Sequence, residues 1–269
     1  MATTAPVLPA DEAPLDAATL DAFLRHMSTE MVLVGGQALA FWMQRYGIHS
    51  EGAAISNDGD ALGSVRQARY LAEKLRAALL LPEPTSLTSL VAQLRIPVAG
   101  TGKVRNIDVL HLLYTTSGLK KSNAFTRRVE RNAVTVKMAG GIDLRIMHPL
   151  DLLEARAHNA VGLTAQKGEH VVTQARWAIA VAREALIRIA SDVGRPDRAG
   201  ACVQRVFRLW KSSVGQRLWK EHKLCVLDAI DGEELLRYRD ELQQQLATVA
   251  RERPAGDAAD SNSPRPREA

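Results

Sequence analysis

The chain has 269 residues, 46% of them hydrophobic but only 4% aromatic, and a net charge of +5. That is enough apolar material for one large or two small packed domains, with a core built from Ala, Leu, Val and Ile rather than from rings. Two isolated cysteines, Cys202 and Cys225, exclude a disulfide framework and a zinc cluster, and no run of about eighteen apolar residues is present to span a bilayer.

Residues 1–14 are rich in Ala, Pro and acidic side chains and are expected to be mobile. They lack the basic start and apolar centre of a signal peptide, so a cytoplasmic protein is expected. From residue 15 to 147 the apolar periodicity alternates between helix and strand. It predicts helices over 15–27, 37–46 and 64–80, and strands over 30–35, 53–61, 92–98, 103–113, 132–138 and 142–147.

Three features of this region carry chemistry. A β-branched run, Met31 to Val34, stops at Gly35-Gly36, and a helix-period apolar segment begins at once. Two glycines before a helix allow backbone N–H groups to approach an anion that a side chain would obstruct. The next strand carries Asp58 and Asp60, which strand alternation sends to the same face while Gly59 points to the other. Two parallel carboxylates are the donor pair of a divalent-metal site. In the strand over 103–113, parity places Val104, Asn106, Asp108 and Leu110 on one face. An acid on such an apolar strand is expensive to bury unless it is paired or binds a metal, which makes Asp108 the candidate third carboxylate. Its rival, Asp143, follows Gly140-Gly141 and reads more simply as a hairpin residue leading into the next strand.

After Met147 the pattern is helical, with helices expected over 149–158, 167–192, 197–220 and 232–251. Pro149 suits a first helical turn and Asp151 adds a favourable charge there. A four-part organisation follows: a mobile 1–14, an α/β domain over 15–147, a helical domain over 148–252 and a disordered tail over 253–269. The segment 176–223 carries eleven Lys or Arg against four acids, and Arg205, Arg208 and Lys211 share a helical face. Two readings stand side by side: a solvated surface whose aliphatic stems cover the core, or a surface for RNA or another polyanion. The histidines have no spacing that would put two metal ligands on one helical face, and none is assigned to catalysis.

The order of these elements resembles the nucleotidyltransferase superfamily related to DNA polymerase beta, and most of all the AbiEii-like nucleotidyltransferases, which include toxins of toxin–antitoxin systems. The matching segments are Val34-Gly-Gly-Gln-Ala-Leu39, Ser56-Asn-Asp-Gly-Asp60, Asn106-Ile-Asp-Val-Leu110 and Pro149-Leu-Asp-Leu-Leu-Glu-Ala-Arg156. Two positions depart from the pattern: Gly59 replaces an apolar residue between the aspartates, and Arg156 stands where such enzymes usually carry Lys.

The resemblance implies an α+β architecture, a nucleotidyltransferase-fold N-terminal domain with a short mixed sheet followed by a C-terminal helical domain. It implies Mg²⁺-dependent transfer of a nucleoside monophosphate from an NTP such as ATP to an acceptor hydroxyl, an RNA 3′ end being favoured over a protein or a small molecule. Asp58, Asp60 and Asp108 would hold two Mg²⁺ ions, while Gly35, Gly36, Gln37, Ser56 and Arg156 would contact the nucleotide. An antitoxin protein is an implied partner. The alternative is a catalytically silent domain of this kind that binds nucleic acid or protein, for which Gly59 and Arg156 are the sequence support.

Overall fold

The computed structural model describes residues 9–50, 56–195 and 197–254. A mixed seven-stranded sheet runs through the N-terminal half: β1 (Val32–Val34), β2 (Gly59–Leu62), β3 (Ala78–Leu80), β4 (Leu90–Pro97), β5 (Val104–Leu110), β6 (Val134–Lys137) and β7 (Asp143–Ile146), in the order β3-β4-β5-β2-β1-β7-β6. β5 runs parallel to β2 and β7 parallel to β1, while the other four pairings are antiparallel. Among the described residues the helices interleaved with it are α1 (Ala17–His26), α2 (Gly35–Tyr46), α3 (Val65–Leu75) and α4 (Leu119–Asn132). Then come α5 (Pro149–Lys167), α6 (His170–Ser191), α7 (Asp197–Lys211), α8 (Ser213–His222), α9 (Gly232–Tyr238) and α10 (Gln243–Glu252).

Several expected elements change length or divide. The helix expected over 64–80 ends at Leu75, because Arg76 takes a left-handed conformation that closes the last turn, and Ala78–Leu80 pairs with β4 as an edge strand. The helix expected over 197–220 breaks at Ser212, whose hydroxyl accepts from the Gly215 N–H and caps α8. Gly215 there lies against the backbone of Leu209 and Trp210, so the two short helices meet too closely for any larger residue. The periodicity predicts no helix where α4 forms. Its polar sequence has few large apolar residues, and only Phe125, Val129 and two small polar side chains turn inward. The strand expected over 53–61 begins at Gly59, which leaves Asp58 on the bend that leads into it; residues 51–55 lie outside the described residues.

The N-terminal boundary is also corrected. β2 pairs with β5 only from Ile107 onward, which leaves the first half of β5 with an open edge on that side. Residues 11–13 occupy it: Val104 N–H donates to the Asp11 carbonyl at 2.9 Å, Ala13 N–H donates to the Val104 carbonyl at 2.8 Å, and Asp11 pairs with Arg95 at 2.8 Å. Residues 9–14, expected to be mobile, are therefore held to the sheet by otherwise unsatisfied strand groups. At the other end Arg253, expected to open a disordered tail, donates to the Leu227 and Ile230 carbonyls at 3.0 and 2.7 Å. The rest of both expected segments, 1–8 and 255–269, lies outside the described residues.

One continuous buried cluster extends from Phe23 on α1 through β1, β5 and β7 to α5, α6 and α10, and it is built mostly of Ala, Leu, Val and Ile. Trp42 at the middle of α2 donates its indole N–H to the Met147 carbonyl at 2.9 Å, and the Arg188 guanidinium of α6 lies 4.8 Å from the Tyr46 ring centre.

One member of the expected basic face is engaged internally. Asp151, in the first turn of α5, is fully buried and holds two guanidinium groups: Arg128 of α4 at 3.0 Å and Arg205 of α7 at 2.5 Å. Glu154 accepts from the same pair, at 2.5 Å from Arg128 and 3.4 Å from Arg205. Lys211 pairs with Glu252 at 2.6 Å. Of the three residues read as one basic face, Arg205 is thus an internal tie between α5 and α7, and Arg208 is exposed.

A buried ion cluster that loses one partner leaves an uncompensated charge, whereas an exposed charge costs little to reverse. Arg205→Glu is accordingly expected to lower unfolding free energy by about 3 kcal/mol in urea titrations, and Arg208→Glu by no more than about 0.5 kcal/mol. Equal effects of the two reversals would contradict this assignment.

Candidate active site

The site is built where β1, β2 and β5 lie side by side. β1 ends at Val34, opposite Asp60 of β2, and Asp60 in turn lies in register with Asp108 of β5. In-register residues on neighbouring parallel strands project to the same face, so Asp60 and Asp108 stand together. Asp58 sits two residues before Asp60, on the bend. The parity expected for β5 holds: Arg105 reaches the α1 side, donating to the Pro14 carbonyl and pairing with Asp16 at 2.7 Å, while Asn106 and Asp108 point the other way. Asp143, the rival acid, opens β7 after two left-handed glycines and faces Lys137 across the hairpin at 3.7 Å, on the far side of the sheet order from β5.

The three carboxylates feel one another. Burial first, then the neighbouring Asp60 and Glu12, push Asp58 up to about 6, and nearby Lys167 opposes the shift. Asp108 is also raised to about 6 by burial and by the charges of Asp60, Asp58 and Glu12, against a stabilising hydrogen bond donated by Gln93 Nε2 at 3.0 Å. Asp60 is raised by burial, and Arg156, Lys167 and the Gly36 N–H hold it in check. Asn106, two residues before Asp108 on the same face, is 4% exposed, and its Oδ1 has no hydrogen-bond partner among the described residues. Among those residues, however, no three His, Cys, Asp or Glu side chains are drawn tightly enough together to grip a metal as they stand. Two of the carboxylates are instead turned to hydrogen-bond donors of the protein, Gly36 N–H and Gln93.

The glycine pair lies against the protein's own side chains. Gly35 has φ +68°, and a Cβ there would lie 1.9 Å from Asp60 Oδ2; a Cβ on Gly36 would lie 2.2 Å from Ser56 Cβ. The first turn of α2 is therefore held open for a carboxylate and a serine belonging to the protein, and its amide dipole is directed at Asp60. Gln37 and Ser56 are likewise engaged. Gln37 Nε2 donates to the Ser56 and Asp58 carbonyls at 3.5 and 3.3 Å, and Ser56 Oγ donates to the Asp58 carbonyl at 3.1 Å. Both hold the bend that presents Asp58.

Arg156 is 6% exposed, donates from Nη1 to Gln174 Oε1 at 2.8 Å, and is depressed by burial while the charge of Asp60 supports it. It is a buried counter-charge beneath Asp60 rather than an open clamp. Lys167, exposed at the end of α5, acts on both Asp58 and Asp60. Sequence reasoning missed Lys167 because it lies well beyond the matching segment, past the point where that helix was expected to end. It missed Glu12 because that residue fell in a segment expected to be mobile.

Gly59 has a packing reason. A Cβ there would meet Leu15, Phe23 and Ile107 at 3.2 to 3.3 Å, so the side opposite the carboxylates is filled by α1 and β5. Neither a family model nor a curated protein matches this chain.

Gly35→Ala combines the clash with Asp60 and the left-handed φ, and is expected to cost about 3 kcal/mol; adding Asp60→Ala should restore roughly half, since only the clash is relieved. Full additivity in the double-mutant cycle would contradict the contact. A second expectation concerns pH. Asp58 and Asp108 have folded-state pKa values raised above the usual carboxylate value, so they bind protons more tightly when folded. Their contribution to stability is complete below about pH 4 and is lost as pH rises through about 6. Asp108→Asn should therefore raise Tm at about pH 7 and flatten the fall between about pH 4 and that point; an unchanged profile would count against the assignment.

Proposed function

We propose that this protein is a metal-dependent nucleotidyltransferase, moving a nucleoside monophosphate from an NTP to an acceptor hydroxyl. The observation that carries the reading is the register of Asp60 with Asp108 on adjacent parallel strands beside Asp58, at the end of β1 where α2 begins. The AbiEii-like resemblance, which implies a metal site at these same three aspartates, is the other support for the reading.

The donor set suits Mg²⁺. Three carboxylates that burial raises and an amide oxygen without a partner among the described residues are hard oxygen donors, and a divalent cation among them would favour the charged carboxylates against burial and repulsion. Asp58, Asp60 and Asp108 would hold it, Asp60 and Asp108 turning from Gly36 and Gln93 to do so. When bound, Mg²⁺ neutralises triphosphate charge and lowers the pKa of the acceptor hydroxyl. The protein supplies the rest. The charge of Arg156 favours ionised Asp60, Gln37 and Ser56 hold the Asp58 bend, and Lys167 offers an exposed ammonium for triphosphate oxygens. Asp108 would complete the metal's shell or take the proton from the acceptor hydroxyl.

The silent-domain alternative loses one of its two supports, since Gly59 is explained by packing against α1. Its other support, Arg156, is a residue whose charge serves Asp60 in either case.

Incubation with each labelled NTP, Mg²⁺ and a mixture of cellular RNA and protein tests the reading, and the labelled fraction names the acceptor class. Transfer should fall about a hundredfold or more in Asp60→Asn with the fold retained by circular dichroism. No labelling of any fraction by the wild-type chain, or labelling equal in the variant, would overturn the proposal.

A further inference from the structure

A second polar site lies on the other side of α5. Glu154 and His158 are four residues apart and share a helical face, whereas Arg156 lies about 200° around the helix from both, toward Asp60. On the Glu154–His158 side is a cleft of about 240 Å³ lined by Thr115, Ser117, Lys121, Phe125, Arg128 and His158, together with Ala124 and Glu154. None of the three candidate-site aspartates lines it.

The chemistry of the lining is one-sided. His158 is only 7% exposed, and its Nδ1 accepts the Thr116 backbone N–H at 3.2 Å, which fixes the neutral ring as the Nε2–H tautomer. Nε2 has no partner among the described residues, so a buried ring held in place by Thr116 leaves one donor for the cleft. Arg128 uses Nε on Asp151 and Nη2 on Glu154, leaving Nη1 and its two hydrogens. The acid of the lining, Glu154, is bound by Arg128 and Arg205, and with Asp151 these four charges sum to zero. Lys121 is in no ion pair among the described residues, and Ser117 is exposed beside it. The cleft thus carries one net positive charge and an excess of N–H and O–H donors from three separate elements, the 111–118 loop, α4 and α5.

We propose that this cleft binds a phosphoryl group, as inorganic phosphate or as the phosphate of a small organic monoester. Donors converging from three elements suit a tetrahedral group with three or four oxygens better than a planar carboxylate, and a charged acceptor makes each of these hydrogen bonds stronger. Phe125 and Ala124 offer an apolar wall for an organic part. Phosphoryl binding here is independent of nucleotidyl transfer, because the cleft and the aspartates lie on different faces of α5.

Calorimetric titration of the full chain with inorganic phosphate, and separately with a nucleoside monophosphate, tests it. Lys121→Met and Ser117→Ala change exposed side chains and should leave the fold intact. Each should weaken phosphate binding, Lys121→Met by about tenfold or more, while Asp60→Asn leaves it unchanged. Equal affinities for the two probes would assign the site to free phosphate, and tighter binding of the monoester, lost in the same variants, would assign it to an organic phosphate. Absence of binding to either probe, binding indifferent to both cleft variants, or binding lost in Asp60→Asn but kept in Lys121→Met would overturn the proposal.

Discussion

Everything in the candidate site depends on the cost of burying carboxylates close together. Burial raises Asp58, Asp60 and Asp108 alike, and the charge of Asp60 adds to the effect on Asp58 and Asp108. A fold that served only its own stability would place apolar side chains at such positions, as it does on the opposite face around Gly59. The surrounding residues make sense as compensation. The Gly36 amide, the Gln93 side chain, buried Arg156 and exposed Lys167 each stabilise a carboxylate, and the missing Cβ of Gly35 makes room for one.

Helix α5 joins this region to the rest of the molecule. Its first turn carries Asp151, which ties α4 and α7 through two arginines; its middle carries Arg156 under Asp60; its end carries Lys167. A single rigid element therefore fixes the buried ion cluster, the counter-charge and the exposed cation at set spacings along one axis. That arrangement also puts the α4–α5 cleft on the far side of the helix from the carboxylates, so the two polar sites are held in fixed relation without sharing a lining residue.

Much of this was legible in the chain itself. Strand parity placed Asp108 opposite Arg105 and Ile107, and the glycine pair marked the β1–α2 junction, because alternation and turn chemistry are local rules. What was not legible came from tertiary partners. The first turn of α2 reads as an anion cradle in sequence, yet Asp60 already faces it, which only the β1–β2 register reveals. Arg156 reads as a phosphate ligand by position, but its burial against Gln174 is set by α6. Arg205 reads as part of a basic surface because charges usually are solvated. Asp151 lies 54 residues before Arg205, and no local pattern signals that it will claim that guanidinium.

If the three aspartates form a divalent-cation site that receives a triphosphate, nucleotide affinity must depend on the metal and on Asp60. The most direct test is the affinity of the wild-type chain and of Asp60→Asn for a non-hydrolysable NTP, measured calorimetrically with and without Mg²⁺. Mg²⁺ is expected to strengthen nucleotide binding about tenfold or more in the wild type and to have little effect in the variant. Nucleotide binding that is absent, or equally strong with and without Mg²⁺ in both proteins, would contradict it.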